Sequence, residues 1–266
     1  MDIATLGLLA SAVFAAALLQ SATGIGYGVI AGPILLVALN GIEAFQISAL
    51  HTLVISAVLL PALFHQVERR LLLLFVLGSA IGLPLGFALQ MQAEVFWLKL
   101  VALAMVAFVA TTLLRDLLRP RGADTLSAPH HSPVEAGGVG AASGLLGGMV
   151  SMPGPVPATW MAISGYTKRD VRATILAYFV FVFGALTAFY AATTGFAPTT
   201  LRIAALLGLP LVAGIWAGHA LSRLISERLF RRVLFAILCA TILLLVSDLL
   251  RSALSKGEVS VSYLIP

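Results

Sequence analysis

The sequence from Gln20 to Gly28 reads QSATGIGYG, and it interrupts an apolar run that begins at Ile3 and continues to Asn40. Three glycines at every second position, beside serine and threonine, disfavour a continuous helix. Hydrocarbon offers no hydrogen-bond partners to the backbone groups that such a break releases. Irregular backbone at membrane depth therefore has to be buried in protein or to line a wet cavity. We call this stretch break 1.

A second interruption, break 2, lies between Ser143 and Pro155, where the sequence reads SGLLGGMVSMPGP. In transporters, paired interruptions at corresponding places in two halves of the chain are the best sequence indication of the substrate site. Two further matches indicate such halves: DLLR at 116–119 recurs at 248–251, and the glycines at 82 and 86 recur at 214 and 218. Both matches have the same offset, which chance rarely produces. We predict a duplication, with membrane repeat 1 at 1–118, a cytoplasmic linker at 119–135, membrane repeat 2 at 136–252 and a C-terminal tail at 253–266.

The composition excludes an ordinary soluble protein. Of the 266 residues, 60% are hydrophobic and only 10% are charged, whereas a soluble domain has roughly 25% charged residues. The predicted fold class is an all-α polytopic membrane protein, with the lipid bilayer as its surroundings. The net charge of +5 comes from basic residues in short loops between apolar runs, so it does not indicate nucleic-acid binding. A homodimer is left open.

The 16 basic residues distinguish two topologies. If each break lies inside one crossing, the chain crosses eight times, with 8 basic residues on each face. If each break is the turn of a hairpin, 12 share one face, and only Lys99, Arg202, Arg251 and Lys256 oppose them. The positive-inside rule favours the second topology. We therefore predict two inverted-topology repeats, each with a Gly/Pro-broken hairpin plus three transmembrane helices, and both termini outside. Whether the hairpins cross fully or are re-entrant stays open.

Inversion would bring the two breaks together near the membrane midplane. A helix N-terminus has roughly +0.5 charge and unpaired N–H donors, which makes it an anion site. The alternative is that the glycines only permit close helix packing, and both interpretations remain open. The predicted substrate-binding residues are small, polar or basic residues at or near the breaks: Ser21, Thr23, Gly24, Gly26, Tyr27, Gly28, His51, Ser143, Gly147, Gly148, Ser151, Pro153 and Arg172.

The ionisable residues bear on how transport is driven. All 11 acidic residues fall near span ends, in loops or in the tails, so none is expected to carry a proton or sodium ion at mid-membrane. His51 and His219 are the deepest ionisable groups, and each is either a proton relay or a hydrogen-bonding residue between helices. Arg172 is either an anion contact or a positive-inside anchor. No cofactor or metal is expected, because the adjacent His130 and His131 lie in a polar, proline-containing loop.

The duplicated arrangement resembles the TauE/SafE family of membrane transporters, often described as sulfite exporters. The resemblance rests on Ser21–Pro33, on Ser143–Pro155 and on YTKRDVRAT at 166–174, and it covers nearly the whole chain. It implies export of sulfite or of a small, sulfonate-like organosulfur anion across the bacterial inner membrane. We expect alternating access, with the anion held between the two breaks. Another small anion, such as a carboxylate, is the alternative substrate.

A rival function class is an intramembrane serine hydrolase. GAASG at 140–144 is similar to a rhomboid-type nucleophile segment, in which Ser143 would attack with His219 as the base. The duplication argues against this interpretation, because Ser21 in the other half would then have no role. Metal-cation transport is disfavoured by the lack of buried carboxylates and of a Cys or Met cluster. The sequence therefore indicates a transporter and not an enzyme.

Overall fold

The computed structural model describes residues 2–118, 132–221 and 227–262, and its regular elements are helical. The first half contains α1 (Ile3–Thr23), α2 (Tyr27–Leu39), α3 (Ile42–Leu59), α4 (Arg69–Gln92) and α5 (Val95–Leu118). The second half contains α6 (Pro133–Val150), α7 (Pro155–Ile163), α8 (Lys168–Thr193), α9 (Pro198–Leu221) and α10 (Glu227–Ser262). Two short 3-10 turns, Leu60–Ala62 and Phe64–Gln66, lead from α3 towards α4.

Seven of the described helices are long and apolar enough to cross a membrane: α1, α3, α4, α5, α8, α9 and α10. The remaining helices flank the breaks, with 13 residues in α2, 18 in α6 and 9 in α7. The predicted all-α polytopic membrane protein is thereby confirmed.

The helices of the second half extend past both predicted bounds of membrane repeat 2, residues 136 and 252. α6 begins at Pro133 because the Ser132 side chain accepts a hydrogen bond from the Val134 N–H and proline suits the first helical turn. α10 continues to Ser262, into the stretch that we predicted as a tail. Most of the linker, 119–131 with both of its histidines, lies outside the described residues.

The glycines that revealed the duplication make reciprocal contacts between the halves. A Cβ at Gly82 of α4 would collide with the Ala141 carbonyl of α6, and one at Gly218 of α9 would collide with the Leu18 carbonyl of α1. The first helix of each half therefore packs against the fourth helix of the other half. Small residues allow this close approach, as the four-residue glycine spacing predicts.

Hydrogen bonds at the helix ends set the relative directions of three packed helices. Near the start of α3, Gln46 Nε2 donates to the carbonyl of Gly195, just after the end of α8, at 2.7 Å. Just before α4, the Glu68 N–H donates to Thr174 Oγ1, near the start of α8, at 3.0 Å. Because α3 and α4 both pack against α8, α3 runs antiparallel to α8 and α4 runs parallel to it.

A buried ion pair joins α5 to α10. Lys99 Nζ lies 2.6 Å from Asp248 Oδ2 and donates to Asn40 Oδ1 at 2.7 Å. By sequence alone Lys99 is a loop charge that indicates orientation, but its side chain is only 5% exposed and is neutralised by Asp248. A buried charge requires such a partner. The contact also ties the end of α2 to the α5–α10 pair.

Candidate functional site

Break 1 depends on two glycines in conformations that other residues avoid. Gly24 ends α1 with φ +87°, and its N–H donates to the Gln20 carbonyl at 2.7 Å. Gly26 precedes α2 with φ +149°. L-residues rarely adopt either conformation, so the chain reverses here because both positions are glycine. The Thr23 hydroxyl closes the turn by donating to the Ile25 carbonyl at 2.6 Å.

Break 1 is also held by two helices of the second half. The Arg172 guanidinium of α8 donates to the Ser21 carbonyl. Ser21 Oγ in turn donates to the Ile215 carbonyl of α9 at 2.9 Å. A Cβ at Gly24 would lie 3.2 Å from Arg172 Cα, so glycine also permits this close approach. Ser21 and Arg172, both predicted substrate-binding residues, use these polar groups to support the break.

Break 2 is closed by hydrogen bonds within its own half and by one from α4, in which Gln90 Nε2 donates to the Met149 carbonyl at 3.0 Å. Ser151 ends α6 in the left-handed conformation with φ 56°, and its N–H donates to the Gly147 carbonyl at 2.9 Å. Ser143 Oγ donates to the Pro153 carbonyl at 2.5 Å and accepts from the Tyr178 hydroxyl at 2.8 Å. A Cβ at Gly147 would lie 3.1 Å from Pro153 Cβ, so this glycine lets the turn fold back on α6.

Two predicted site glycines differ in what they face. A Cβ at Gly28 would lie 2.6 Å from the Ser151 carbonyl, so the two breaks touch at this point. A Cβ at Gly148 would instead lie 2.5 Å from the Leu83 carbonyl of α4. Gly148 therefore serves the packing of α6 on α4, the alternative that the sequence left open for these glycines.

A small cavity of about 10 Å³, room for about one water molecule, lies between the two breaks. It is far below the roughly 300–1,000 Å³ of pockets for drug-sized ligands, so the walls have to move apart to admit an oxyanion. Its walls come from break 1 with α2, from break 2 with α7, and from α3 and α8, and none of the residues in them is charged. They are Ile25, Gly26, Gly28, Val29, Thr52, Ser151, Met152, Pro153, Gly154, Pro155, Phe179 and Phe183.

The N-termini of α2 and α7 both open on this cavity. Their N-cap residues are Gly26 and Gly154, neither of which provides a side-chain cap. The first N–H groups of a helix have no intrahelical partner, and the helix dipole favours an anion there. Pro155 and Pro157 remove two donors from α7, and in α2 the Tyr27 N–H already donates to Gln20 Oε1 at 3.0 Å. The first-turn donors that remain in α2 are those of Gly28 and Val29. The arrangement can bind an anion without a charged side chain in the cavity wall.

Tyr27 and His51 form a buried chain beside the cavity. The Tyr27 hydroxyl lies 2.6 Å from His51 Nδ1, and His51 Nε2 lies 2.9 Å from the Ala204 carbonyl of α9. A carbonyl only accepts, so Nε2 carries the proton and Nδ1 accepts from the phenol. With both ring nitrogens engaged, His51 fixes the start of α2 against α3 and α9. Neither Tyr27 nor His51 is among the residues that line the cavity.

Four predicted site residues line the cavity, namely Gly26, Gly28, Ser151 and Pro153. The Ser151 hydroxyl is buried near the Tyr190 hydroxyl. It has no hydrogen-bond partner among the described residues. It is thus placed to donate to a ligand.

The cavity walls that come from α3 and α8 contain residues outside the predicted site. Thr52 Oγ1 is buried at the cavity and has no hydrogen-bond partner among the described residues. The sequence does indicate Thr52, because this residue follows His51 and lies four residues after Ser48 in an apolar helix. Phe179 and Phe183 form the facing apolar wall. They gave no signal, since two aromatic residues in an apolar span are typical of packing.

The described part of the chain contains no catalytic arrangement that would support a serine hydrolase. The hydrogen-bond partners of Ser143 there are Pro153 and Tyr178, and neither is a general base at neutral pH. The side chain of His219 lies outside the described residues. Within the same described residues, no group of three or more His, Cys, Asp or Glu side chains could hold a metal ion.

Comparison with known proteins agrees with the resemblance seen in the sequence. A model of the sulfite exporter TauE/SafE family matches residues 9–245, which include both breaks. No curated protein and no solved structure matches the chain. The family consists of transporters. Since the match extends over most of the chain, this protein belongs to the sulfite exporter TauE/SafE family.

Proposed function

We propose that this protein exports sulfite or a small, sulfonate-like organosulfur anion by alternating access, with the anion held between the two breaks. The observation that carries the proposal is that two helix N-termini open on one cavity whose wall has no charged side chain. Such a site attracts an anion through partial charges and N–H donors. It offers a cation no carboxylate ligand. The family supports a sulfur oxyanion as the substrate.

The donors at the cavity can offset the cost of removing a small anion from water. That cost is several kcal/mol for an ion in a protein interior. A hydrogen bond to a charged group contributes about 1.5–3 kcal/mol, so two or three donors suffice. The Gly28 and Val29 N–H groups of α2 and the hydroxyls of Thr52 and Ser151 are the groups in reach.

The helix directions support the inverted hairpins that alternating access requires. Two hairpin turns make α3 antiparallel to α8 and α4 parallel to it, whereas eight simple crossings reverse both relations. The bonds of Gln46 to Gly195 and of Glu68 to Thr174 agree with the hairpins. The positive-inside rule then assigns the α7–α8 connection to the cytoplasm and both termini to the outside of the bacterial inner membrane.

The membrane potential alone can drive this export. An interior-negative potential favours anion exit by about 2.3 kcal/mol per charge per 100 mV. The uncharged cavity wall supports a mechanism without a coupling ion, because it contains no carboxylate to bind a proton or sodium ion.

The test is a flux panel in proteoliposomes with sulfite, sulfate, thiosulfate, sulfoacetate and acetate, at an imposed potential. We expect sulfite or sulfoacetate to move fastest, and to move faster out of the negative compartment. Gly28→Ala should abolish this flux because its Cβ would displace the Ser151 carbonyl. Gly184→Ala is the matched control, since a Cβ there would meet nothing within 4 Å. Fastest transport of acetate would overturn the substrate class, and normal flux in Gly28→Ala would overturn the site.

A further inference from the structure

A row of buried hydroxyls runs along one face of α3. Ser48, Thr52 and Ser56 follow one another at four-residue spacing, which aligns them on a helix, and each is at most 1% exposed. Ser56 Oγ lies 3.5 Å from Gln20 Nε2. Ser48 Oγ and Thr52 Oγ1 have no hydrogen-bond partner among the described residues. Buried polar groups are normally paired, so two adjacent unpaired hydroxyls require an explanation.

These hydroxyls face a glycine surface of α2 and the tip of break 2. A Cβ at Gly32 would lie 3.6 Å from Met152 Cε and 3.9 Å from Ser48 Oγ. Gly28, one turn earlier, faces the Ser151 carbonyl. Met152 is therefore inserted at the seam between α2 and α3, where it also lines the cavity. Its side chain is 2% exposed.

The seam leads away from the cavity in a defined direction. Thr52 lies at the cavity, and Ser48 lies one turn closer to the start of α3. Gln46, two residues before Ser48, bonds to Gly195 in the α8–α9 connection. A ligand that passes from Thr52 to Ser48 thus approaches the α8–α9 side of the membrane.

We propose that this seam is the route of the anion between the cavity and the α8–α9 side, with Ser48 as a second binding station and the Met152 side chain as its gate. The inference rests on the proposed function. The unpaired hydroxyls can donate hydrogen bonds to a small anion, and because a hydroxyl also accepts, the sign of the occupant's charge comes from the proposed function. Methionine is unbranched and flexible, so its rotation away from Gly32 is the movement that we assign to the gate.

The experiment measures access to a thiol at position 48 in the full-length protein in nanodiscs, which leave both faces open. The background is Cys239→Ala, and the variants are Ser48→Cys and the matched control Ala49→Cys, whose native residue is equally buried one position away. Two reagents are compared: anionic 2-sulfonatoethyl methanethiosulfonate and cationic 2-trimethylammonioethyl methanethiosulfonate, each normalised to its rate with a free thiol. We expect modification of Ser48→Cys, with preference for the anionic reagent, and none of Ala49→Cys.

A second change tests the gate. Met152→Ala should raise the anionic modification rate of Ser48→Cys by about tenfold or more, and leave Ala49→Cys unreactive. Ser48→Ala should lower flux about tenfold or more, the factor for one hydrogen bond to a charged group. Equal reactivity at the two positions, no reaction in either background, or preference for the cation overturns the route. If the cysteine at position 48 reacts as expected but sulfur oxyanions do not move in the flux panel, only the proposed substrate is wrong.

Discussion

The two breaks interrupt their helices by different means. Break 1 uses positive φ at Gly24 and Gly26 and is supported by Arg172 and Ile215 from the other half. In break 2 the residue with positive φ is Ser151, prolines follow it, and its hydrogen bonds come from Ser143 and Tyr178 of its own half with one from Gln90 of the other half. A duplicated chain can therefore preserve a helix interruption either through two glycines with positive φ or through a serine followed by prolines. We expect the positive-φ glycines of break 1 to be more sensitive to substitution than Ser151 of break 2.

The second helices after the breaks differ as well. α3 presents Thr52 to the cavity, whereas α8 presents Phe179 and Phe183. One wall can donate hydrogen bonds and the other can only pack. The sulfonate that we propose as substrate has a polar end for the first wall and an apolar end for the second.

The strongest test of the comparison asks whether both breaks are hairpin turns. Single cysteines are placed at His65, Ser164 and Ala197 in a Cys239→Ala background and labelled in intact cells with an impermeant maleimide. Ser164 is preferred to Thr167, because the Thr167 side chain belongs to the capping box of α8. If both breaks are hairpin turns, the cysteines at 65 and 164 are protected from the maleimide and the cysteine at 197 is labelled. The expected difference in labelling is all or none.

Eight simple crossings predict a different pattern in the same experiment. Positions 65 and 197 would then share a face, and position 164 would lie opposite. Matching reactivity at 65 and 197 would therefore refute the hairpins, and with them the inversion that brings the breaks together. Permeabilised cells provide the control that all three thiols are reactive.

The next test compares the residues with positive φ in the two breaks. Gly24→Ala should destabilise the protein by about 1–3 kcal/mol through backbone strain, and by more if Arg172 has to move away from the added Cβ. Ser151→Gly should leave stability nearly unchanged, because glycine adopts this conformation without a steric cost. The thermal unfolding midpoint of the purified proteins in detergent measures both. A larger loss in Ser151→Gly would contradict the assigned difference between the breaks.

Much of the fold could be predicted because it follows from local sequence. Apolar runs, glycine interruptions and the repeated glycines of α4 and α9 have no other economical interpretation in a membrane. Four of the cavity residues came from the same reasoning, since helix breaks expose backbone wherever they occur. The repeat inversion stays a prediction that the helix directions support.

The remaining parts of the site depend on contacts that sequence spacing does not reveal. Ser21 was predicted to donate to the substrate, but its hydroxyl bonds to Ile215, which is 194 residues away. By sequence alone Lys99 is a loop charge, but in the structure it pairs with Asp248, which is 149 residues away. Periodicity cannot tell which apolar residues of α8 face a cavity, so Phe179 and Phe183 were not separable from packing residues.

The finest test contrasts the equivalent serines. The Pro153 carbonyl has no helical donor four residues later, because residue 157 is proline, so Ser143→Ala leaves it buried and unpaired and deprives Tyr178 of an acceptor. We expect a loss of about 2–3 kcal/mol. Ser21→Ala should cost only about 0.5–1 kcal/mol, because the Ile215 carbonyl retains its intrahelical donor in α9.

Thermal unfolding of the same purified proteins separates these two losses, with Ser247→Ala as the exposed serine control, for which we expect a change within about 0.5 kcal/mol. Adding Tyr178→Phe to Ser143→Ala should cost less than the two single changes together, since each removes the partner of the other. This non-additivity distinguishes a closed hydrogen-bond network from simple loss of packing. Equal losses in Ser21→Ala and Ser143→Ala would mean that the two breaks are held with equal strength, despite the different chemistry of their turns.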